Sequence, residues 1–239
     1  MIRRFGMTAF VLGFFLACAS TASAANPSLA QTPVCTASLA TASFAAAPAN
    51  VDYFAALSAT WGSNPGSLTV SDSNSVQYPQ IYAVNLGGTT GTYGYGWTNA
   101  VVGSPTSTVT FNAGFTAICI YDIANVGAPT FQTSTNSARN TSVTFTGTLA
   151  GDLIVCGGAI PANSVALSNT NGTLVTDGTT GGAYAFGHFT AIATATTTIT
   201  LATPGAGGNA VLGCMDYSPP IPNPLIGRFW PWLGPILAQ

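Results

Sequence analysis

The sequence predicts an all-β protein in which two tandem antiparallel β-sandwiches, immunoglobulin-like or jelly-roll-like, follow an N-terminal signal peptide. Three observations support this fold class. Short segments rich in Val, Ile, Thr and aromatic residues recur, and clusters of Gly, Asn, Ser and Pro separate them. No segment after residue 24 keeps a helical period over three turns. The same order of motifs also occurs twice.

The first 24 residues have the pattern of an export signal. Arg3 and Arg4 precede an apolar stretch at 10–19, and small residues lead to a cleavage site after Ala24. We therefore expect a secreted or cell-surface protein. A competing interpretation takes Cys18 as the lipidated cysteine of a lipoprotein, which would bring the chain to a membrane.

Charged side chains are scarce in this chain. It has no lysine and no glutamate, and its charged groups are four arginines and six aspartates, with one histidine besides. Removal of the signal would leave two arginines against six aspartates, so no basic surface remains and nucleic acid is excluded as a partner. Acid–base catalysis and metal binding both need positioned ionisable groups. The composition therefore predicts no enzyme, no cofactor and no metal.

Four cysteines remain after the predicted cleavage, an even number in a chain bound for an oxidising compartment. Three connectivities are open. We favour Cys35 with Cys119 and Cys156 with Cys214, because each pair then lies inside one half of the chain. A zinc site is the alternative, but the sequence has no CxxC spacing and only one histidine.

An internal repeat organises the chain. Asp52 corresponds to Asp152 one hundred residues later, and Asp122 corresponds to Asp216 at an offset of 94. Between them, the segment from Tyr93 to Trp97 matches that from Tyr184 to His188 at an offset of 91. Offsets that drift by a few residues are typical of loop insertions between two copies of a module. The remaining matches are Leu68–Asp72 with Val165–Asn169 and Thr108–Phe111 with Thr198–Leu201.

The repeat sets the predicted domain boundaries. After the signal and an N-terminal segment at 25–35, the first sandwich covers 36–126 and the second 130–218, and an apolar, proline-rich tail covers 219–239. Each copy has about the ~100 residues of an immunoglobulin-sized sandwich. In strands such as Thr196 to Leu201, hydroxyl residues alternate with Ile or Leu, so one face can pack on a core while the other meets water.

Several of these motifs resemble a β-sandwich module of secreted bacterial proteins. That module has the motifs GDLIVV, SDSNGN, TVT and EYSG in this order, and the second copy has its counterparts in Gly151–Val155, Asn169–Gly172, Thr196–Thr200 and Asp216–Ser218. The resemblance implies an extracellular module that is not catalytic, and it carries no functional residues with it. The chain departs from the pattern at Asp216, which replaces a glutamate, and at Ser75, which replaces a glycine.

Four of the aspartates are candidates for a structural or a catalytic role. Asp52 and Asp152 each follow turn residues at the start of a strand, where aspartate commonly caps backbone amides. Asp122 and Asp216 lie near the end of the last strand of each copy. An aspartate pair within about 5 to 10 Å could supply a glycosidase acid and base, which would make the chain a hydrolase.

Two further motifs are candidate ligand or catalytic sites. The run from Asp72 to Ser75 has alternating oxygen ligands that could bind calcium, but the same residues form turns and Asn169 replaces the charged ligand in copy two. His188 could act as a base. Its counterpart in the repeat is Trp97, and no GxSxG elbow is present, so we expect a structural role.

Aromatic residues are the candidate binding groups. Tyr93, Tyr95 and Trp97 alternate along one strand and share a face, either as the core of the sandwich or, with Trp61, as a platform for a polysaccharide. The tail aromatics lie outside the repeat and could cover a sheet edge of their own molecule, enter a partner or touch a membrane. These are Phe229, Trp230 and Trp232.

The sequence therefore predicts a non-enzymatic secreted or cell-surface protein with a structural or adhesive role. It would act through its sandwich surfaces, by edge pairing and by assembly through the tail, with a second copy or a cell-surface partner. The alternative is a carbohydrate-binding protein that uses surface aromatics. A glycoside hydrolase-like enzyme comes third.

Overall fold

The structure is a computed structural model that describes most of one compact unit, Ala25–Pro220. Within this unit, loop segments interrupt the described residues. The predicted signal peptide, the tail aromatics Phe229, Trp230 and Trp232, and the turn residues Ser73 to Ser75 lie outside them. The described ranges are 25–37, 41–43, 51–63, 69–72, 77–86, 90–100, 108–111, 117–127, 129–136, 140–160, 165–180, 183–202 and 209–220.

The described residues contain no helix and form seventeen strands, as the alternating β-branched and aromatic segments predict. No helix among them is long and apolar enough to span a membrane. The strands are β1 (Ser28–Leu29), β2 (Val34–Ala37), β3 (Thr41–Ser43), β4 (Tyr53–Ser63), β5 (Val70–Asp72), β6 (Gln80–Leu86), β7 (Thr90–Ala100), β8 (Thr108–Phe111), β9 (Ala117–Ala124), β10 (Thr130–Asn136), β11 (Asn140–Thr148), β12 (Leu153–Ala159), β13 (Ala166–Asn169), β14 (Val175–Thr180), β15 (Tyr184–Thr190), β16 (Ala195–Ala202) and β17 (Ala210–Tyr217).

These strands form two large and two small antiparallel sheets. In the first half of the chain, the large sheet has the order β1-β9-β4-β7-β6, with β2 also paired to β9, and the small sheet has the order β3-β8-β5. In the second half, the orders are β10-β17-β12-β15-β14 and β11-β16-β13. The all-β, antiparallel prediction is confirmed.

The same strand order is therefore present in both halves. If the strands are counted from β2 in the first half and from β10 in the second, the large sheet joins the first, eighth, third, sixth and fifth strands, and the small sheet joins the second, seventh and fourth. The orders 1-8-3-6 in the large sheet and 2-7-4 in the small sheet are those of a jelly roll, whereas the fifth strand pairs with the sixth in the large sheet instead of extending the small one.

Three apolar cores lie between the four sheets. One fills the first half, with Phe54, Tyr93 and Trp97, and one fills the second half, with Ile154 and Phe189. The third and largest core lies between the two large sheets and includes Leu57, Tyr121 and Ile123 from the first half. Its second-half members are Leu153, Val155, Ala159, Phe186, Val211, Met215 and Tyr217. The two large sheets therefore pack face to face, and the small sheets lie outside them.

The central strands are buried on both faces for this reason. Every residue of β9, β12 and β17 is buried. Along β9, Cys119 and Tyr121 enter the core between the large sheets, while Ile118 and Ile120 enter the core of the first half. Alternate side chains of such a strand therefore enter two different cores, instead of one core and the solvent.

The small sheet of the second half keeps the expected division between core and solvent. In β16, Ile199 and Leu201 are fully buried. On the opposite face, cross-strand hydroxyl pairs lie in the solvent, with 2.9 Å from Ser142 Oγ to Thr200 Oγ1 and 3.2 Å from Thr144 Oγ1 to Thr198 Oγ1. The predicted alternation of hydroxyl and apolar residues in this strand is confirmed.

Two disulfides link neighbouring strands, Cys35–Cys119 and Cys156–Cys214, which is the pairing that the sequence favoured. Each joins residues directly opposite each other, across β2 and β9 in the first case and across β12 and β17 in the second. Cys119 faces the core between the large sheets, whereas Cys156 faces the core of the second half. Two disulfides are consistent with an extracellular protein.

Strand register corrects one match of the repeat. Phe54 pairs with Asn99, and its counterpart Ile154 pairs with Phe189, so β7 and β15 correspond at an offset of 90 rather than 91. Thr98, not Trp97, therefore occupies the position of His188. The cores agree, because Trp97 lies in the core of the first half whereas Thr98 bonds to Tyr217 of the large intersheet core. A slip of one residue exchanges the two faces of a strand.

Candidate functional site

A β-bulge in the edge strand β14 places the central residue of the candidate site. In the ladder between β14 and β15, Thr176 pairs with Gly187 and Gly178 pairs with Phe186, which leaves Asp177 as the extra residue. A bulge redirects the side chain of its extra residue and often lies beside a functional site. It brings the Asp177 carboxylate to the histidine of the neighbouring strand.

Asp177 and His188 form a hydrogen-bonded pair. The Nδ1 atom of His188 lies 2.8 Å from Oδ1 and 2.9 Å from Oδ2 of Asp177. The Asp177 side chain is 4% exposed and that of His188 is 16% exposed. Because a carboxylate only accepts, Nδ1 carries a proton. In the neutral ring, Nε2 is then an acceptor.

Tyr121 completes this cluster from the other half of the chain. Its hydroxyl lies on β9 and donates to Asp177 Oδ2 at 3.0 Å. Burial and the neighbouring Asp177 charge raise the pKa of Tyr121 well above its usual value, so the phenol stays protonated and remains a donor. The Asp177–His188 pair of the second half is thereby tied to the first half through a hydrogen bond.

The cluster lies beside an open cleft of about 540 Å³. One wall is the chain between β1 and β2, and the other is formed by β14 and β15. Its lining combines apolar and hydrogen-bonding side chains, a mixture found in small-molecule sites, whose volumes are roughly 300 to 1,000 Å³. The lining residues are Leu29, Pro33 and Val175, together with Gln31, Thr32, Thr176, Asp177 and His188.

A second buried aspartate holds another side chain of the cleft. Gln31 donates from Nε2 to Oδ2 of Asp122 at 2.6 Å, and Asp122 is 1% exposed. Burial raises the pKa of Asp122 to about 6, although the hydrogen bond from Gln31 opposes this rise. The other carboxylate oxygen, Oδ1, is buried and has no hydrogen-bond partner among the described residues.

Two further aspartates, Asp52 and Asp152, bond to the backbone, as the capping interpretation predicts. Asp52 accepts from the amide of Val126 at 3.1 Å, and Asp152 accepts from the amide of Leu149 at 2.7 Å. Asp216 is 6% exposed, and burial followed by repulsion from Asp152 raises its pKa to about 7. None of these carboxylates lines the cleft.

The three predicted platform aromatics on β7 are buried, so the prediction that they form a binding surface is wrong. Tyr93, Tyr95 and Trp97 are 0%, 6% and 1% exposed and belong to the core of the first half. The packing interpretation of this face is therefore the right one, because large aromatic rings stabilise a sandwich core. The side chain of Trp61 lies outside the described residues, although its backbone pairs with Thr92 in the ladder.

In the second half, the turn that corresponds to the predicted calcium turn uses its polar side chains in hydrogen bonds within the protein. The amide of Asn171 donates to Asn169 Oδ1 at 2.8 Å, and the Asn171 side chain bonds to the backbone of Ala193 and to Thr197. In the first half, the side chains from Asp72 onward in this turn lie outside the described residues. Over the described ranges, no group of three His, Cys, Asp or Glu side chains could hold a metal ion.

Sequence reasoning missed Asp177. It singled out His188 but not the aspartate eleven residues before it, because none of the matched motifs of the repeat includes Asp177. The available signal was a strand pattern around Thr176-Asp177-Gly178, where an aspartate beside a glycine interrupts a β-segment and is typical of a bulge.

The comparisons with known proteins do not identify the chain. No protein-family model matches it, and no curated protein is significantly similar to it. The resemblance to a secreted bacterial module therefore stays a prediction.

Proposed function

We propose that this chain is a non-enzymatic secreted or cell-surface protein with a structural or adhesive role, which associates by adding strands at the edge of a large sheet. The single observation that carries this proposal is the open edge of β10. The four edges of the two large sheets differ in how open they are to an added strand. A sheet edge offers a row of backbone donors and acceptors to any strand that can reach it.

Three edges of the two large sheets carry features that hinder strand addition. The edge formed by β1 and β2 is interrupted and contains Pro33. Strand β6 follows Pro79 and has a bulge between Gln80 and Tyr82. Strand β14 has the bulge at Asp177, which adds a charge. Interruptions, prolines, bulges and charges are the usual protections of natural sheet edges.

Strand β10 has none of these features. Its seven residues pair in unbroken register with β17, from Thr130 opposite Asp216 to Asn136 opposite Ala210. The strand contains no charged residue and no proline. Over the described ranges, no strand pairs with its outer side. A regular, uncharged edge of this length is a template for an added strand.

The side chains of β10 favour a second copy of the same chain as the partner. Thr130, Phe131, Gln132 and Thr133 are exposed, and Phe131 is 48% exposed. Two copies of an uncharged strand can pair in antiparallel fashion about a twofold axis without like-charge repulsion. Such pairing would join two five-stranded sheets into one and cover both Phe131 side chains.

The test is the association state of the purified full-length protein by sedimentation velocity across a concentration series. We expect reversible self-association, and Thr133→Lys should weaken it at least tenfold because a lysine on an edge strand opposes pairing. The matched control is Thr144→Lys, which adds the same charge to the exposed face of β11. Deleting 219–239 separates the edge from the tail aromatics. A protein that stays monomeric, or a Thr133→Lys variant that associates as well as the unchanged protein, would contradict the proposal.

A further inference from the structure

We propose that the cleft between the β1–β2 segment and strands β14–β15 binds a neutral saccharide, with His188 and Gln31 as its hydrogen-bonding groups. This inference rests on the proposed function, because it names what an adhesive protein would hold. Its site differs from the β10 edge and from the surface aromatics that the sequence indicated.

Each of the two cleft residues is held by a buried aspartate. Asp177 fixes the Nδ1 side of the His188 ring, and Asp122 fixes the amide of Gln31 at 2.6 Å. Burying a carboxylate is unfavourable unless its contacts compensate, and this chain has six aspartates in all. That two of them orient side chains of one cleft is typical of a preorganised binding site, where supporting groups fix the contact groups.

The unused atoms of the cleft match hydroxyl groups. The aspartates contact Nδ1 of His188 and Nε2 of Gln31, not His188 Nε2 or Gln31 Oε1, and Thr32 and Thr176 line the same cleft. Together they offer acceptors and groups that both donate and accept. A polyhydroxylated ligand can satisfy such a set because each of its hydroxyls also donates and accepts.

Charge and shape restrict the ligand further. Over the described ranges the chain contains no arginine or lysine that would attract an anion, and Asp122 and Asp177 repel one. No group of three metal ligands occurs there either. The apolar wall of Leu29, Pro33 and Val175 can pack against the C–H groups of a sugar ring. A neutral saccharide fits all three conditions.

The experiment uses the only histidine of the chain as a reporter. The imidazole NMR signals of His188 in the full-length protein are followed while cellohexaose, chitohexaose and mannohexaose are added one at a time, with sodium sulfate and zinc chloride as separate probes. We expect at least one saccharide to shift the His188 signals in a saturable manner. This measurement needs no variant.

Variants then assign the contacts. His188→Gln and Gln31→Ala should each weaken saccharide binding at least tenfold, and Asp177→Asn should weaken it and change the imidazole tautomer signals. Ser142→Ala, on the exposed hydroxyl face of β11, is the control that keeps full affinity. The proposal is overturned if no saccharide shifts His188, if only sulfate or zinc does, or if His188→Gln and Gln31→Ala both bind normally. Saccharide binding by a strictly monomeric protein would support this site and contradict the self-association proposal.

Discussion

The two halves of the molecule share a backbone feature but carry different chemistry on it. In the first half the bulge of β6 has Ile81 as its extra residue, and Thr98 lies on the neighbouring strand. In the second half the corresponding bulge carries Asp177, and His188 lies beside it. The bulge is thus common to both halves, whereas the Asp177–His188 pair occurs in the second half.

The packing of these positions differs accordingly. Ile81 packs against the core between the large sheets, and the Thr98 hydroxyl lies 2.9 Å from the Tyr217 hydroxyl. Asp177 instead bonds to His188 and to Tyr121, and these residues lie beside the open cleft. The bulge position of the first half is therefore occupied by an apolar side chain, and that of the second half by a carboxylate that bonds to an imidazole and a phenol. The shared bulge thus positions whichever side chain the sequence supplies, an aliphatic one in the first half and a carboxylate in the second.

The first prediction concerns the two disulfides, where we expect the largest effects. Replacing either pair by alanines should lower the free energy of unfolding by about 4 kcal/mol, because each bond closes a long loop, with sequence separations of 84 and 58. Chemical denaturation measures both losses. The two variants should both change the NMR signals of His188, because Gly178, next to Asp177, lies against Cys35, and Cys156 lies opposite Gly187, next to His188. Unchanged His188 signals in either variant would contradict this coupling between the disulfides and the site.

The second prediction concerns the corresponding carboxyl groups Asp122 and Asp216. The folded-state pKa is about 6 for Asp122 and about 7 for Asp216, against roughly 3.9 in an unfolded chain. Between these values the folded protein binds more protons, so the free energy of unfolding falls as the pH rises from about 4 to about 7 and is constant above.

Replacing these groups by asparagine removes the penalty at neutral pH. Asp216→Asn should stabilise the protein at pH 8 by at most a few kcal/mol, since one pKa unit corresponds to about 1.4 kcal/mol. Asp122→Asn should gain less, because its pKa is lower and Gln31 bonds to the carboxylate. Urea denaturation at pH 4.5 and pH 8 measures both. Asp52→Asn, on an exposed aspartate, is the control, and a loss of stability at pH 8 in Asp216→Asn would contradict the prediction.

Much of the fold could be predicted from the sequence because it depends on local patterns. The antiparallel strands follow from alternating β-branched residues, and the pairing of Cys35 with Cys119 agrees with the order of the two halves. The run from Ala117 to Ala124 also carries a signal for burial on both faces, since it is almost entirely apolar. That signal indicated a strand but not which sheet would cover its second face.

The candidate site could not be predicted because it depends on register. The segments Tyr93–Trp97 and Tyr184–His188 look alike, and aligning them one residue too far set Trp97 opposite His188. A shift of one residue exchanges the two faces of a strand. The misaligned match therefore did not indicate that His188 lies on the face of β15 toward the core between the large sheets. The partner of His188 depends on a bulge, and the second partner of that aspartate, Tyr121, comes from the other half of the chain. Neither contact leaves a periodic trace in the sequence.

The last prediction compares the two tyrosines that close the intersheet core. Tyr121 and Tyr217 are both 0% exposed, and both hydroxyls bond across the halves, to Asp177 and to Thr98 respectively. Each change to phenylalanine removes one oxygen. A hydrogen bond to a charged group contributes about 1.5 to 3 kcal/mol and one between neutral groups about 0.5 to 1.5 kcal/mol.

We therefore expect Tyr121→Phe to lower the free energy of unfolding by about 2 kcal/mol and Tyr217→Phe by about 1 kcal/mol. Tyr121→Phe leaves a buried carboxylate oxygen with one donor fewer, so its loss should shrink when Asp177→Asn is already present. The double-mutant cycle, measured by urea denaturation, tests this coupling. Equal losses in the two single variants, with no coupling to Asp177, would mean that the Asp177 charge contributes nothing to joining the halves and that the two ends of the core are energetically alike.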